Sequence, residues 1–170
     1  MSKLTIYIGY DSNQNNPPLC NRVVNSPYEV CKKSIENHNS NIEIVPIKLK
    51  KLIDDGIYLR EHDPKATTEF TYSRFLIPHL ENYDGYSIFV DDDYIFRKSI
   101  LPFFLFLNPD DAVACVQYDF DNHGETKFDG EKNVSYPKKL WSSFMVFNNG
   151  HEDCKKLTPE TVNSESGKYL

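Results

Sequence analysis

The chain has 170 residues, of which 39% are hydrophobic and 11 each are Tyr and Phe, and its formal net charge is −6. This length and composition predict one folded domain over residues 1–170 and exclude a disordered chain. The acidic balance, with no basic stripe, argues against nucleic acid or an anionic membrane surface as a partner, so an anionic ligand would need a cation as intermediary.

No apolar run approaches the roughly 20 residues of a membrane span, and the longest, residues 100–107, is interrupted by Pro102. The start, MSK followed by LTIYIGY, lacks the successive regions of a signal peptide. A cytoplasmic location is therefore expected. We expect all four cysteines to be free thiols rather than disulfides or zinc ligands, because no CxxC pair is present. They are Cys20, Cys31, Cys115 and Cys154.

The first predicted elements are a strand and a helix. Residues 4–8, LTIYI, are apolar and β-rich, which predicts a strand. Ser26 is suited to cap a helix, with Pro27 at its first position and Glu29 completing a capping box. Apolar residues then recur at helical spacing, until the helix ends in NHNSN.

The next segments predict a strand and two helices. IEIVPI, residues 42–47, is a strand in which Pro46 indicates a sheet edge, since proline has no N–H for a ladder. A short helix is expected at 49–55. A second is expected over 67–80, capped by a threonine and kinked or shortened by Pro78.

The remaining pattern predicts strands at 86–90, 112–116 and 141–148, with a short helix at 99–106. Thr158, followed by a proline, predicts the start of another helix. Strands and helices therefore alternate, which predicts an α/β fold with a mostly parallel sheet and helices on its faces.

Three aspartates follow the strand at 86–90. In open α/β sheets, ligands bind beyond the carboxyl ends of the strands. If the strand continued, Asp91 and Asp93 would share one face and Asp92 would take the other. Two neighbouring carboxylates need a cation, and Mg²⁺ or Mn²⁺ is often held by one or two carboxylates plus substrate phosphates. The alternative is an acidic turn in solvent.

A second acidic stretch, DFDNHG at 119–124, begins like a calcium-binding loop. Position 12 of that loop, which requires a bidentate Glu, is Gly130. We therefore do not expect an EF-hand here.

Several segments, in matching order, resemble bacterial and viral GT-A glycosyltransferase-like proteins related to the family-8 group, which includes lipopolysaccharide galactosyltransferases and glycogenin. The segments are IYIGYDS, ATTEFTYSRFLIPHL, IFVDDD, YPKKLWSSFMVFNN and LTPETVN. The resemblance covers nearly the whole chain. It implies a GT-A fold, a Rossmann-like mixed sheet that binds a nucleotide-sugar, usually UDP-linked, with Mn²⁺ or Mg²⁺. It also implies hexosyl transfer with retention, and a glycan or lipid-linked saccharide as acceptor.

The resemblance assigns a role to each motif position. Asp91 and Asp93 would form the D-x-D pair that holds the metal, and Arg74 would assist with the diphosphate or donor sugar. The residues that would face the nucleotide or the donor sugar are Gly9, Tyr10, Asp11, Ser142 and Ser143.

Each of these assignments has a structural alternative. Gly9 could permit a turn, Tyr10 could pack on the sheet, and the two serines could be ordinary strand residues. Arg74 could pair with Glu69 or Glu81. Trp141, the single Trp, is more often a core residue than a platform for a sugar.

One departure from the family concerns the C-terminus. Family-8-like enzymes usually supply a further His ligand from a C-terminal segment, whereas this sequence ends at Leu170 and its last His is His151. The rival hypothesis is therefore a non-catalytic nucleotide-sugar-binding module or a degenerate transferase. A phosphoryl- or nucleotidyltransferase ranks last, because the sequence has no Gly-rich phosphate loop.

Overall fold

The computed structural model describes residues 4–15, 26–64, 66–117 and 141–170. The predicted calcium-like stretch at 119–124 and Cys20 lie outside these ranges. The strands are β1 (Thr5–Tyr10), β2 (Glu43–Lys48), β3 (Tyr86–Val90), β4 (Val113–Cys115) and β5 (Phe144–Asn148). The α-helices are α1 (Ser12–Asn15), α2 (Pro27–Glu36), α3 (Leu49–Asp54), α4 (Ile77–Leu80) and α5 (Pro159–Ser164). Short 3₁₀ helices span Ser73–Leu76, Leu101–Phe106, Trp141–Ser143 and Cys154–Lys156.

The five strands form one mixed sheet in the order β2-β1-β3-β5-β4. β1 is parallel to both β2 and β3, whereas β5 is antiparallel to both β3 and β4. The predicted α/β fold is confirmed, with two of the four strand pairings parallel and two antiparallel. β2 lies at an edge, as Pro46 indicated.

Both faces of the sheet are covered, and the alternation of side chains along the three central strands explains this. One face carries Ile6, Ile8, Ile88, Val90, Phe144 and Val146, which pack against α2 and the 3₁₀ helix Leu101–Phe106. The opposite face carries Tyr7, Phe89, Met145 and Phe147, which pack against α3, α4 and α5. Because both faces are buried, the strands read as nearly continuous apolar runs.

Local capping signals set two helix starts. The Ser26 side chain accepts a hydrogen bond from the backbone N–H of Glu29, and Thr158 accepts one from Thr161. Both caps precede a proline in the first turn, as the sequence predicted. Cys31 and Cys154 are buried thiols that pack in the two cores.

Two predictions were wrong in detail. The helix expected over 67–80, kinked or shortened by Pro78, is instead a turn, the 3₁₀ helix Ser73–Leu76 and then α4. Pro78 lacks an N–H and its ring clashes with an upstream carbonyl, so it is tolerated only in the first turn of an α-helix. The expected strand over 141–148 begins only at Phe144, because Trp141–Ser143 form a 3₁₀ turn. Within the described ranges, no helix is long and apolar enough to cross a membrane.

Candidate functional site

The predicted site residues meet at one edge of the sheet. β1 and β3 are parallel, so Asp11 after β1 and residues 91–93 after β3 lie at the same carboxyl edge. β5 runs in the opposite direction and pairs Phe144 with Val90, which brings residues 142–143 to that edge as well. This is the edge at which α/β sheets bind ligands.

A buried cation, Arg74, stands at the centre of this edge. Its side chain is 6% exposed, and one terminal nitrogen lies 3.1 Å from Asp91 Oδ1. The same nitrogen donates to the carbonyl of Ser142, and Nε donates to the carbonyl of Phe70 over 3.1 Å. The guanidinium carbon lies 5.3 Å from the Phe70 ring centre and 4.6 Å from that of Phe89. Arg74 is therefore held rigidly, with its charge matched by hydrogen bonds, one carboxylate and two aromatic faces.

The structure also locates the other two carboxylates proposed for Arg74. Glu81 accepts a hydrogen bond from the Tyr7 hydroxyl over 2.7 Å. Glu69 accepts from the backbone N–H and the hydroxyl of Ser12, at the start of α1. The ion pair that the structure records for Arg74 is with Asp91, which lies 17 positions further along the chain.

The ionised form of Asp91 is electrostatically disfavoured. Burial, together with the nearby charges of Asp93 and Asp92, raises its pKa to about 6 from the usual 3.8, against the opposing effect of Arg74. Asp91 Oδ1 faces Arg74, and no hydrogen-bond donor within the described residues contacts its other oxygen. A divalent cation at this place would relieve the repulsion between Asp91 and Asp93.

The three consecutive aspartates separate into three environments. β3 ends at Val90, so the alternation of an extended strand does not continue through them. Asp92 is 5% exposed and turns inward, where its charge adds to burial in raising the pKa of Cys31 to about 12. Asp93 is exposed, and it has no hydrogen bond or ion pair to any described residue.

Two carboxylates, Asp91 and Asp93, are thus available for a cation. Among the described residues, no group of three or more His, Cys, Asp or Glu side chains is arranged to hold a metal. The donor set nevertheless fits a hard ion such as Mn²⁺ or Mg²⁺, which in proteins often takes one or two carboxylates and completes its shell with water and substrate phosphates.

Gly9 and Tyr10 serve the packing of β1. A Cβ on Gly9 would lie 2.8 Å from the Phe70 ring, so glycine is required here for close approach. Tyr10 packs edge to face on Tyr28 at 5.6 Å, and Lys48 Nζ lies 4.7 Å from the Tyr10 ring centre. Asp11, which follows, accepts the backbone N–H of Asn13 and is 5% exposed.

The two serines contribute mainly through their backbone. The carbonyl of Ser142 accepts from Arg74, and that of Ser143 accepts the backbone N–H of Asp91 over 2.9 Å. The Ser143 hydroxyl lies 2.9 Å from that of Tyr94. The turn before β5 therefore helps to hold both Arg74 and Asp91 in position.

Sequence reasoning missed a cleft beside Asp11. It has a volume of about 280 Å³ and is formed by the start of α1, by α3 and by residues 58–72. The signal was present in the hydroxyl-rich segment ATTEFTYS, but the pattern there predicted the start of a helix over 67–80. We refer to it as the Asp11 cleft; its lining residues are Asp11, Asn13, Leu49, Ile53, Tyr58, Arg60, His62, Asp63, Ala66, Thr67, Thr68, Glu69 and Tyr72.

A relative from Arabidopsis thaliana, Protein CDI, is 37% identical to this chain over 166 residues, which are 97% of this chain. The chain spans 60% of that relative's length. No protein-family model matches the sequence.

Two solved structures share the architecture of the chain. The apo structure of the bifunctional glycosyltransferase WbbM matches 95% of this chain with a TM-score of 0.58 and 15% identity, over 34% of its own chain. The apo form of the glycosyltransferase GlyE from Streptococcus pneumoniae TIGR4 also matches 95% of the chain, with a TM-score of 0.50 and 18% identity, over 36% of its chain. The fold of this protein is therefore the α/β fold found in these glycosyltransferases.

Proposed function

We propose that this protein is a metal-dependent glycosyltransferase that moves a sugar from a nucleotide-sugar, UDP-linked, to an acceptor hydroxyl of a glycan or lipid-linked saccharide. The observation that carries the proposal is the convergence of Arg74, Asp91 and the turn at 142–143 on the carboxyl edge of the sheet. The likeness of the fold to two glycosyltransferases supports it.

The chemistry asked of the site is the stabilisation of charge on a leaving nucleoside diphosphate. Mn²⁺ or Mg²⁺, held by Asp91 and Asp93, would supply a Lewis acid for the phosphate oxygens. Arg74 fixes Asp91 and adds a permanent positive charge beside it, which no pH change within the physiological range can remove. We extend the proposal to a hexosyl donor and to retention at the anomeric carbon, as the sequence resemblance implied.

A donor assay tests this proposal. Purified protein is incubated with a panel of UDP-, GDP- and CDP-sugars and Mn²⁺, and release of the nucleoside diphosphate is measured, since many transferases slowly hydrolyse their donor. We expect release from at least one UDP-sugar, loss of release in EDTA, and loss in the Asp93→Asn variant. Release that is unaffected by both EDTA and the substitution would contradict the metal role.

A second candidate function is a binding module that retains the donor site without turnover. It is favoured by one observation, that the described residues contain no group of three or more His, Cys, Asp or Glu side chains that could hold a metal. The donor assay separates the two candidates when combined with a UDP-binding measurement. Binding without release of the diphosphate from any donor would favour the module.

A further inference from the structure

The Asp11 cleft lies next to the proposed donor edge but presents different chemistry. Asp11, directly after β1, belongs to both. A transferase must place an acceptor hydroxyl against the donor sugar, so a second ligand site has to adjoin the first. The Asp11 cleft adjoins the carboxyl end of β1 and has a volume of about 280 Å³.

The charge in this cleft disfavours a diphosphate. Among the described lining residues, three carboxylates, from Asp11, Asp63 and Glu69, stand against one guanidinium, from Arg60, and the His62 imidazole. Arg60 is engaged with the C-terminal end of α5, where it donates to the carbonyl of Val162 over 2.9 Å and to that of Glu165 over 2.6 Å. Among the described residues, no three acidic side chains of the cleft are grouped so that they could hold a metal ion. An anionic ligand would therefore meet net repulsion without a compensating cation.

The rest of the lining suits a ligand rich in hydroxyl groups. Thr67 and Thr68 provide hydroxyls that can both donate and accept, and the carboxylates accept from O–H groups. The rings of Tyr58 and Tyr72 add aromatic surface, and Leu49 and Ile53 add an apolar wall. A few polar groups converging over aromatic and aliphatic surface are typical of small-molecule sites.

Contacts within the protein hold the lining of the Asp11 cleft in place without a ligand. The Arg60 guanidinium lies 4.1 Å from the centre of the Tyr72 ring, and the Tyr72 hydroxyl donates to Asp63. The side chain of Asn163, on α5, accepts from Leu59 N–H over 2.8 Å and donates to the Ile57 carbonyl over 3.0 Å. Preorganisation of this kind lowers the cost of ordering the protein on binding.

We propose that the Asp11 cleft binds the acceptor as a neutral saccharide, with Asp11, Glu69 and the threonine hydroxyls contacting its hydroxyl groups and the tyrosines contacting its ring. This inference rests on the proposed function, since it treats the donor edge as the neighbouring site. It also excludes phosphorylated and uronic sugars as the groups that enter the cleft.

The test uses the full chain on a printed array of neutral, phosphorylated and uronate-containing glycans, followed by calorimetry with the strongest neutral hit. Ala66→Trp fills the cleft, and Thr67→Val removes one hydroxyl with little change of shape. Glu152→Gln is the control, because Glu152 is an exposed residue paired with Lys155 outside the cleft. Thermal unfolding of each variant confirms that it folds.

We expect the array to select neutral glycans, Ala66→Trp to weaken binding at least tenfold, and Thr67→Val to weaken it severalfold. Glycan binding by Glu152→Gln should equal that of the wild type. UDP binding with Mn²⁺ should be unchanged in all variants. A protein that binds UDP with Mn²⁺ but no neutral glycan would overturn the cleft assignment while leaving the proposed function standing. Loss of UDP binding in Ala66→Trp, with glycan binding intact, would instead make the cleft part of the donor site and overturn the proposal.

Discussion

The substitution Asp91→Asn should stabilise the protein at neutral pH. Asp91 has a pKa of about 6 in the folded state against an ordinary value of 3.8, which corresponds to ~3 kcal/mol at ~1.4 kcal/mol for each pH unit. Because the folded state holds this proton more tightly, the wild-type free energy of unfolding falls as pH rises from about 4 to about 6. Asparagine mimics the protonated carboxyl group, so the free energy of unfolding of the variant should not fall over this pH range.

The side chain of Asp91 is 25% exposed, so solvent screening reduces the expected gain to about 1–3 kcal/mol at pH 7.5. The assay is urea denaturation of wild type and variant between pH 4.5 and 7.5, with EDTA present to remove bound metal. Asp110→Asn, at an exposed turn, is the matched control. If Asp91→Asn and wild type gave parallel pH curves, or if the variant were the less stable protein at pH 7.5, the reasoning about burial and neighbouring charge would be refuted.

Three further predictions concern packing and local hydrogen bonds. Gly9→Ala should lower stability by about 1–3 kcal/mol, because its Cβ would meet the Phe70 ring at 2.8 Å; an unchanged melting temperature would contradict this. Thr158→Ala should cost about 1 kcal/mol in chemical denaturation through loss of the α5 cap, whereas a neutral result would show that the cap is dispensable. Tyr94→Phe should cost about 0.5–1.5 kcal/mol through loss of the contact with the Ser143 hydroxyl, and a more stable variant would refute that role.

The strands were the most predictable part of the fold. β3 was expected at residues 86–90 and lies there, because its aromatic and β-branched run is bounded by polar residues on both sides. Two helix starts were predicted equally well, because each has a capping side chain, Ser26 or Thr158, followed by a proline. These are local signals, and the sequence contains them in full.

Features that depend on long-range contacts could not be predicted from the sequence. The pairing of Arg74 with Asp91 joins residues 17 positions apart, and both also bond to carbonyls of the turn before β5. The Asp11 cleft joins parts of the chain that only the folded sheet and helices bring together. The alternation of side chains suggested a different environment for Asp92 than for its neighbours, but its burial, at 5% exposure, depends on packing that exists only in the folded protein.

The most direct test of the central claim, that a divalent cation and a nucleoside diphosphate bind at the carboxyl edge, is calorimetric titration with UDP. Wild type, Asp93→Ala and the exposed control Asp110→Ala are each titrated with and without Mn²⁺. Because Asp93 is exposed and no hydrogen bond or ion pair ties it to another described residue, its loss should leave the fold intact. The account predicts Mn²⁺-dependent UDP binding in wild type and control, and at least about tenfold weaker binding in Asp93→Ala. Equal UDP affinity with and without Mn²⁺, or in Asp93→Ala and wild type, would contradict it.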